Sequence, residues 1–262
     1  MKHLIGFLIL LLFVASLAGY ETLRLVDAPT AGILQRGEVE ILTKMYKNNG
    51  LLIGTKVGLF PRFMFGVNYA AEEVVGNKDP KWHDRVEFNA KFRLIDETEK
   101  YPALAIGYDS QGHGNLNEVQ KTGSTTELIK RYDIKSKGFY LVASKNFLFL
   151  GNLGLHGGVN YSLETDDDDT DPNLFLGIDK TIGDVVFVHG EYDFGWNDND
   201  NWTEQTLQQN IDILNRGYLN STLGIHLSET LSVQVSFFDM LQKRSDTTGC
   251  DRTLSIQYFT SF

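Results

Sequence analysis

The chain has 262 residues, with 24 lysines and arginines against 34 aspartates and glutamates, and a net charge of −10. This acidic excess without a basic cluster argues against a nucleic-acid partner, because phosphate binding requires clustered cations. The single cysteine, Cys250, excludes an internal disulfide and any zinc site built from cysteines. Its 25 glycines, 5 prolines, 17 phenylalanines and 11 tyrosines favour β-structure.

The first residues have the pattern of a secretory signal. Lys2 precedes an apolar run over residues 4–14, and small residues stand at Ser16 and Ala18, before a predicted cleavage point. The run is shorter than the roughly 17 to 20 residues that a spanning helix needs. We therefore expect residues 1–19 to be a signal peptide.

Two further expectations concern the N-terminal part of the mature chain. Tyr20 stands where a lipoprotein would carry its lipid-bearing cysteine, so the mature chain is predicted to be unlipidated. Residues 20–36 contain Pro29 and little periodicity. We expect them to be a periplasmic tail or a plug inside the structure that follows.

Beyond this region, apolar and polar residues alternate with a period of two. In residues 86–94 the apolar side chains share one face and the charged side chains the other, as in a strand with one apolar face. A helix would scatter these charges all round. Twelve such segments are predicted: 37–47, 51–59, 63–74, 85–95, 103–109, 138–145, 153–163, 173–181, 185–194, 217–227, 231–240 and 252–262.

Short and long connections alternate between these segments, which is typical of outer-membrane barrels, with short periplasmic turns and long extracellular loops. Only the tight turn at residues 48–50 breaks the alternation.

The last segment has Tyr258 and ends on Phe262, like the C-terminal signal read by the outer-membrane assembly machinery, although Thr260 departs from the usual aromatic residue. We predict an all-β fold over residues 37–262: a transmembrane antiparallel up-and-down β-barrel of about 12 strands in the bacterial outer membrane. Outer-membrane lipid, lipopolysaccharide and the assembly machinery are its expected partners.

Part of the sequence resembles a known family. Residues 102–109, with the sequence PALAIGYD, and residues 139–145, with the sequence FYLVASK, are similar to motifs of the YjbH family of outer-membrane proteins, which is associated with exopolysaccharide production. The residues Pro29-Thr30-Ala31-Gly32 are similar to the family's segment before the first strand. The resemblance implies a barrel, with exopolysaccharide or its export proteins as further partners.

The polar face of the segments predicts the interior of the barrel. Side chains fill the interior of an eight-stranded barrel, whereas a sixteen-stranded barrel leaves a channel. A barrel of twelve strands lies between these sizes, so the sequence predicts a narrow pore and a closed scaffold equally. The residues expected to line the lumen are Glu38, Glu40, Lys44, Lys56, Glu87, Lys91, Arg93, His156, Asn160, Asp179, His189, Glu191 and Asp193.

One acidic run is a candidate cation-binding loop. Carboxylate oxygens suit calcium or magnesium, and such an ion could bridge the loop to lipopolysaccharide. The run lacks the glycine and terminal glutamate of an EF-hand, and a solvated acidic loop is the alternative. Its residues are Asp166, Asp167, Asp168, Asp169 and Asp171. No cofactor and no resident metal are predicted.

These observations predict a non-enzymatic narrow pore or envelope scaffold. The first alternative is an enzyme acting on lipid or lipopolysaccharide, because His156, Asn160 and Ser162 share one strand face. That face is expected to look into the lumen, whereas a lipid-cleaving nucleophile must reach the bilayer. The second alternative is a soluble secreted barrel that binds a ligand, because alternation does not identify the inner face.

A short helix is expected in one long loop. Leu207, Ile211 and Leu214 have helical spacing after Thr203, which could cap a helix at the barrel mouth. An irregular loop is the alternative.

Overall fold

The computed structural model describes residues 21–120, 128–183, 185–199, 202–204, 209–245 and 249–262, so the expected signal peptide lies outside the described residues. Within them the chain forms seventeen strands, of which twelve make a barrel and five lie in its loops. The barrel strands are β1 (Glu38–Tyr46), β2 (Gly50–Phe60), β3 (Phe63–Glu72), β5 (Glu87–Ile95), β6 (Ala103–Asp109), β9 (Gly138–Leu148), β10 (Asn152–Tyr161), β11 (Asn173–Ile182), β12 (Val186–Asp193), β15 (Tyr218–His226), β16 (Leu231–Phe238) and β17 (Asp251–Ser261). The loop strands are β4 (Lys81–Trp82), β7 (His113–Gln120), β8 (Leu128–Ile134), β13 (Trp202–Glu204) and β14 (Gln209–Ile211).

The twelve barrel strands close into one antiparallel barrel. Each pairs with the barrel strand before it and the one after it, and β1 pairs with both β2 and β17. The closing pair runs from Glu38 opposite Ser261 to Met45 opposite Leu254. Closure leaves no unpaired edge, as a chain crossing a membrane by strands requires. The predicted twelve-stranded up-and-down barrel is confirmed, and its strand ends differ from the expected ones by at most a few residues.

The outer face of the barrel is apolar and the inner face polar. On β15 and β16, Leu223 is 54 % exposed and Val235 is 37 % exposed, while Thr222 and Gln234 beside them are buried. A soluble barrel would have the opposite arrangement, with apolar side chains sealed inside. An apolar belt around a polar interior is the arrangement of strands that cross a bilayer. The described part of the chain contains no helix long and apolar enough to cross a membrane.

The connections differ between the two ends of the barrel. The turns before β3, β6, β10, β12 and β16 are short and lie at the end where Phe262 N donates a hydrogen bond to Gly37 O over 3.1 Å. We call this the short-turn end and the opposite one the long-loop end. The tight turn at the long-loop end has Asn48 and Asn49 at φ values of 56° and 54°. Two consecutive positive φ values make a type I′ turn, whose twist suits a hairpin.

A small second sheet at the long-loop end has the order β14-β13-β7-β8. In it Trp202 pairs with Ile211 and Glu204 with Val119, so the backbone of β13 bonds to two neighbouring strands. The helix expected after Thr203 is therefore wrong for the described residues, because strand pairing satisfies the backbone that a helix would have bonded internally. Leu207 lies outside the described residues.

Residues 21–34 form a hairpin inside the barrel, which we call the N-terminal hairpin. Leu25 N donates a hydrogen bond to Ala28 O over 2.9 Å, which closes the tip of the hairpin. Next to the tip, Arg24 and Pro29 form an isolated antiparallel β-bridge between the two arms. The apolar side chains of Leu25, Ala28 and Ala31 pack on the inner side of the wall. Their wall partners are Ala103, Ala105, Tyr140, Val142 and Phe175.

Candidate functional site: the lumen and the N-terminal hairpin

The lumen wall has a basic side and an acidic side. The basic side carries Lys44 on β1, Lys56 on β2, and Lys91 and Arg93 on β5, together with the carboxylates Glu40 on β1 and Glu87 on β5. The acidic side carries Asp179 on β11 and Glu191 and Asp193 on β12. Around the closed barrel β5 and β12 stand nearly opposite each other. All these residues except the half-buried Lys44 are buried.

The acidic side holds the tip of the N-terminal hairpin through Glu191. Its Oε2 accepts hydrogen bonds from the backbone N–H groups of Val26, Asp27 and Ala28, over 3.0, 2.9 and 2.7 Å. Asn220 on β15 donates to Oε1 over 2.8 Å. Three converging backbone N–H groups form a concave donor site for the carboxylate. Glu191 thus holds the main chain of the tip against one wall.

The basic side holds the two arms of the hairpin by their carbonyl oxygens. Lys91 Nζ donates to Leu23 O and to Gly32 O, both over 2.9 Å. Arg93 donates to Ala31 O through Nε over 3.0 Å and through Nη2 over 2.8 Å. Arg93 also forms an ion pair with Glu21. The hairpin therefore crosses the lumen, with its carbonyls on the basic side and its tip N–H groups on the acidic side.

A chain of hydrogen bonds connects Ala31 of the hairpin to the acidic side. Ala31 N donates to Ser144 Oγ over 2.8 Å, and His156 Nδ1 lies 2.7 Å from the same oxygen. His156 Nε2 lies 2.6 Å from Asp179 Oδ1. The two ring nitrogens are exchanged relative to a Ser–His–Asp hydrolase, where Nε2 faces the serine. Because Ser144 is covered by the hairpin, this chain positions the hairpin. The sequence pointed to His156 and Asp179 but missed Ser144, whose only signal was its inward strand parity.

Buried ion pairs fix two further side chains of the hairpin. Arg24 pairs with Asp109 on β6. Asp27 lies 3.1 Å from Lys137 Nζ, and Lys137 also pairs with Asp193. Although burial opposes its charge, Asp193 and Asp27 raise the pKa of Lys137 above its ordinary value. Lys137, in the loop before β9, therefore stays charged between these carboxylates.

Below the hairpin, a cavity of about 700 Å³ lies at the short-turn end. His156, Asp179 and His189 line it from the acidic side, and Leu23 and Arg24 of the hairpin line it from above. His189 Nδ1 lies 3.2 Å from Leu25 O, a further wall contact with the hairpin main chain. The cavity is of the size that holds a small-molecule ligand.

The other residues expected in the lumen also have partners on the inner face. Glu40 pairs with Lys56, and Glu87 accepts a hydrogen bond from Tyr132 Oη over 2.8 Å. Asn160 Nδ2 donates to Lys137 O over 3.0 Å. At the short-turn rim, Glu38 accepts a hydrogen bond from Gln35 N over 2.6 Å. Lys44 Nζ lies 5.8 Å from the centre of the Phe238 ring.

The acidic loop forms ion pairs with the chain itself. Asp167 is buried and lies 2.7 Å from Lys135 Nζ and 3.2 Å from Arg131 Nη1. Asp169 is also buried, and Asp169 Oδ2 accepts a hydrogen bond from Asn199 N over 3.4 Å, whereas Asp166, Asp168 and Asp171 are exposed. In the part of the chain that the structure describes, no three side chains of His, Cys, Asp or Glu are grouped so that they could hold a metal ion.

Buried charges also hold the small sheet over the long-loop end. Arg131 on β8 lies 2.7 Å from Asp198, and Asp133 lies 3.0 Å from Arg244 and 2.6 Å from Lys47. Burial raises the pKa of Asp133, but Arg244 and Lys47 outweigh it and hold that pKa well below its ordinary value. Sequence reasoning missed this network because its members lie far apart in the chain, and periodicity does not indicate which of them meet.

The two residues of the expected assembly signal lie on the last strand or just after it. Tyr258 is 43 % exposed on the outer face and pairs with Leu231 and Ile41. Phe262 is 91 % exposed at the short-turn end. Both rings are therefore accessible from outside the barrel.

No family model and no curated protein matches the chain. Among solved structures it is similar to the KdgM porin, with a TM-score of 0.47, 10 % identity, and 86 % of this chain and 99 % of the other covered. It is also similar to the Acinetobacter baumannii outer membrane protein Omp33, with a TM-score of 0.41, 8 % identity, and 86 % and 97 % of the two chains covered. At this identity the likeness shows no more than the fold. By its own structure the chain is a transmembrane β-barrel. The barrel is closed and has an apolar outer face and a charged lumen, which is the arrangement of strands that cross a bilayer.

Proposed function

We propose that the chain is a non-enzymatic narrow pore whose N-terminal hairpin occupies the lumen and gates it. The observation that carries the proposal is the charged wall: Lys91 and Glu191 are both buried and both bonded to the hairpin. In a barrel that served only as a scaffold, neutral side chains could hold the hairpin without the desolvation cost of burying charged ones. In a pore the same charges face water whenever the hairpin leaves. Their contacts with the hairpin are hydrogen bonds, which break and re-form.

A disulfide lock tests the gate. A Cβ atom built on Gly177 would lie 2.1 Å from Leu25 Cδ1, so cysteines at these two positions are close enough to form a bond. We suggest Leu25→Cys with Gly177→Cys in a Cys250→Ser background, reconstituted in planar bilayers. Conductance should be absent under oxidising conditions and should appear after reduction. The matched control is Leu25→Cys alone in the same background, which should not respond to reductant.

Two results would contradict parts of this proposal. Equal conductance before and after reduction would show that the hairpin is not the gate. Absence of conductance in both states would favour the closed scaffold.

The resemblance to the YjbH family supports a second proposal, that the barrel acts in exopolysaccharide production or export. It rests on the residues 102–109 and 139–145 that carry the resemblance. Deleting the protein should then lower secreted polysaccharide, and the full chain should restore it. Unchanged polysaccharide after deletion would remove this role and leave the pore in place. Lipopolysaccharide around the apolar belt and the assembly machinery at the last strand are proposed as the other partners.

A further inference from the structure

The wall recognises the N-terminal hairpin mainly by its main chain. Glu191 accepts from three backbone N–H groups and Ser144 from a fourth, while Lys91 and Arg93 donate to three backbone carbonyl oxygens. His189 meets a further carbonyl, Leu25 O. Main-chain groups are the same in every peptide. Another peptide that reached this wall would therefore find the same partners.

We propose that these wall residues form a binding site for short peptides, which the opened pore takes as its solute. The inference rests on the gated pore proposed above. The class of solute follows from the wall groups that the hairpin hydrogen-bonds while it occupies the lumen. Those groups are Lys91 and Arg93 on the basic side, Glu191 and His189 on the acidic side, and Ser144 on β9 between the two sides.

The opposite charges of the two sides suit a free peptide better than they suit the hairpin. When the hairpin leaves, Lys91 loses two acceptors and Glu191 loses three donors. A free peptide carries a carboxylate at one end and an ammonium group at the other. Charge-assisted hydrogen bonds are stronger than neutral ones, so the peptide carboxylate is drawn to Lys91 and Arg93 and its ammonium group to Glu191. A neutral sugar supplies hydroxyl groups without either charge.

The dimensions limit the peptide to a few residues. An extended chain advances about 3.3 to 3.6 Å per residue, so three residues span on the order of 10 Å, the scale of the interior of a narrow barrel. The cavity of about 700 Å³ below the hairpin gives such a molecule a place to enter. Its lining includes Glu21 and Arg93, so the entrance leads directly to the basic side.

The first experiment measures displacement of the hairpin in the full-length protein. The probe is the rate at which a maleimide labels the single thiol of a Leu25→Cys variant in the Cys250→Ser background. Because Leu25 is 2 % exposed, labelling requires the hairpin to leave the wall. Trialanine should raise the labelling rate several-fold, whereas a neutral trisaccharide of similar size should leave it unchanged. Acetylated trialanine amide, which lacks both end charges, should act more weakly than trialanine.

The second experiment removes the charged wall groups one at a time. Because Lys91→Met and Glu191→Gln also remove contacts of the hairpin, the labelling rate without peptide is measured first for each variant. Relative to that rate, each variant should raise the trialanine concentration for half-maximal effect by about tenfold, which corresponds to about 1.4 kcal/mol. The conservative changes Lys91→Arg and Glu191→Asp should recover part of this loss. The matched control is Ser236→Ala, a lumen change whose hydroxyl bonds to Thr222 Oγ1 over 2.7 Å and not to the hairpin.

The outcomes separate this inference from the gated pore. An equal response to trialanine and the trisaccharide, or no loss in the two wall variants, would overturn the peptide site even if the disulfide lock proves the gate. A peptide response in a protein that never conducts would support the site and remove the pore.

Discussion

Lys91 and Glu191 stand on nearly opposite walls of one barrel and hold the same hairpin by its two kinds of main-chain group. Lys91 takes the carbonyl oxygens of Leu23 and Gly32, and Glu191 takes the N–H groups at the tip. Each charge has its partners in the hairpin, so neither is buried without compensation. The hairpin is consequently part of the electrostatics of the lumen and more than a steric obstacle.

The assigned faces of the barrel predict unequal effects for one substitution at neighbouring positions. Val235→Lys places a charge on the lipid face and should destabilise the folded barrel by about 2 to 4 kcal/mol near the midplane, because acyl chains cannot solvate it. Gln234→Lys faces the polar lumen and should cost much less. Denaturant titration of both variants in lipid vesicles measures the difference. Equal losses would contradict the assignment of the faces.

Deleting Phe262 should affect assembly more than stability. Its side chain is 91 % exposed, so the deletion loses little packing and one hydrogen bond, from Phe262 N to Gly37 O. We expect a lower amount in the outer membrane of cells and a nearly unchanged unfolding midpoint for the refolded protein. The amount is measured by membrane fractionation, with Ser261→Ala as the control. Normal levels of the truncated protein would refute the role of the last residue as an assembly signal.

The small sheet at the long-loop end should open in acid. Arg244 and Lys47 hold the pKa of Asp133 below its ordinary value of 3.8, against the opposing effect of burial. A carboxyl whose pKa is lower in the folded state stabilises that state fully above its ordinary pKa and loses this effect as the pH falls toward the folded value. Hydrogen exchange in Leu128–Ile134 should therefore accelerate below about pH 4, beyond the intrinsic pH dependence of exchange. Asp133→Asn should exchange fast at pH 7 and lose most of this additional acceleration. An unchanged pH profile in the variant would contradict the assignment.

An open pore should prefer cations modestly. The expected lumen residues carry more carboxylates than lysines and arginines, and clustered acids raise the local cation concentration. The preference should grow as salt is lowered, because the Debye length is about 8 Å at physiological ionic strength. Glu191→Gln should reduce it even at high salt. Within the acidic loop, Asp166 is exposed while Asp167 is paired with Arg131 and Lys135, so Asp166→Asn should reduce the preference more than Asp167→Asn. The reversal potential across a potassium chloride gradient measures this, and an anion preference would contradict it.

The alternation of side chains, together with the alternating lengths of the connections, predicted the barrel. Side chains of a strand point to the same face every two residues. The alternation in residues 86–94 therefore predicts both a strand and the division of its side chains into two faces. The same parity put Glu191 and Lys91 on one polar face of their strands. The loop between β12 and β15 had no such period, and there helical spacing at Ile211 and Leu214 suggested a helix where the described residues form paired strands.

The tertiary structure decided which of these residues meet. The sequence determined the twelve strands, their polar face and the acidic balance of the chain, because these follow from local periodicity and composition. It did not determine that residues 21–34 turn back into the lumen, or that Ser144 accepts a hydrogen bond from Ala31 N. It also did not determine that Asp167 forms ion pairs with Arg131 and Lys135. Such contacts join residues far apart in the chain. They depend on barrel closure, which brings separate strands and loops to one interior and requires each buried charge to find a partner there.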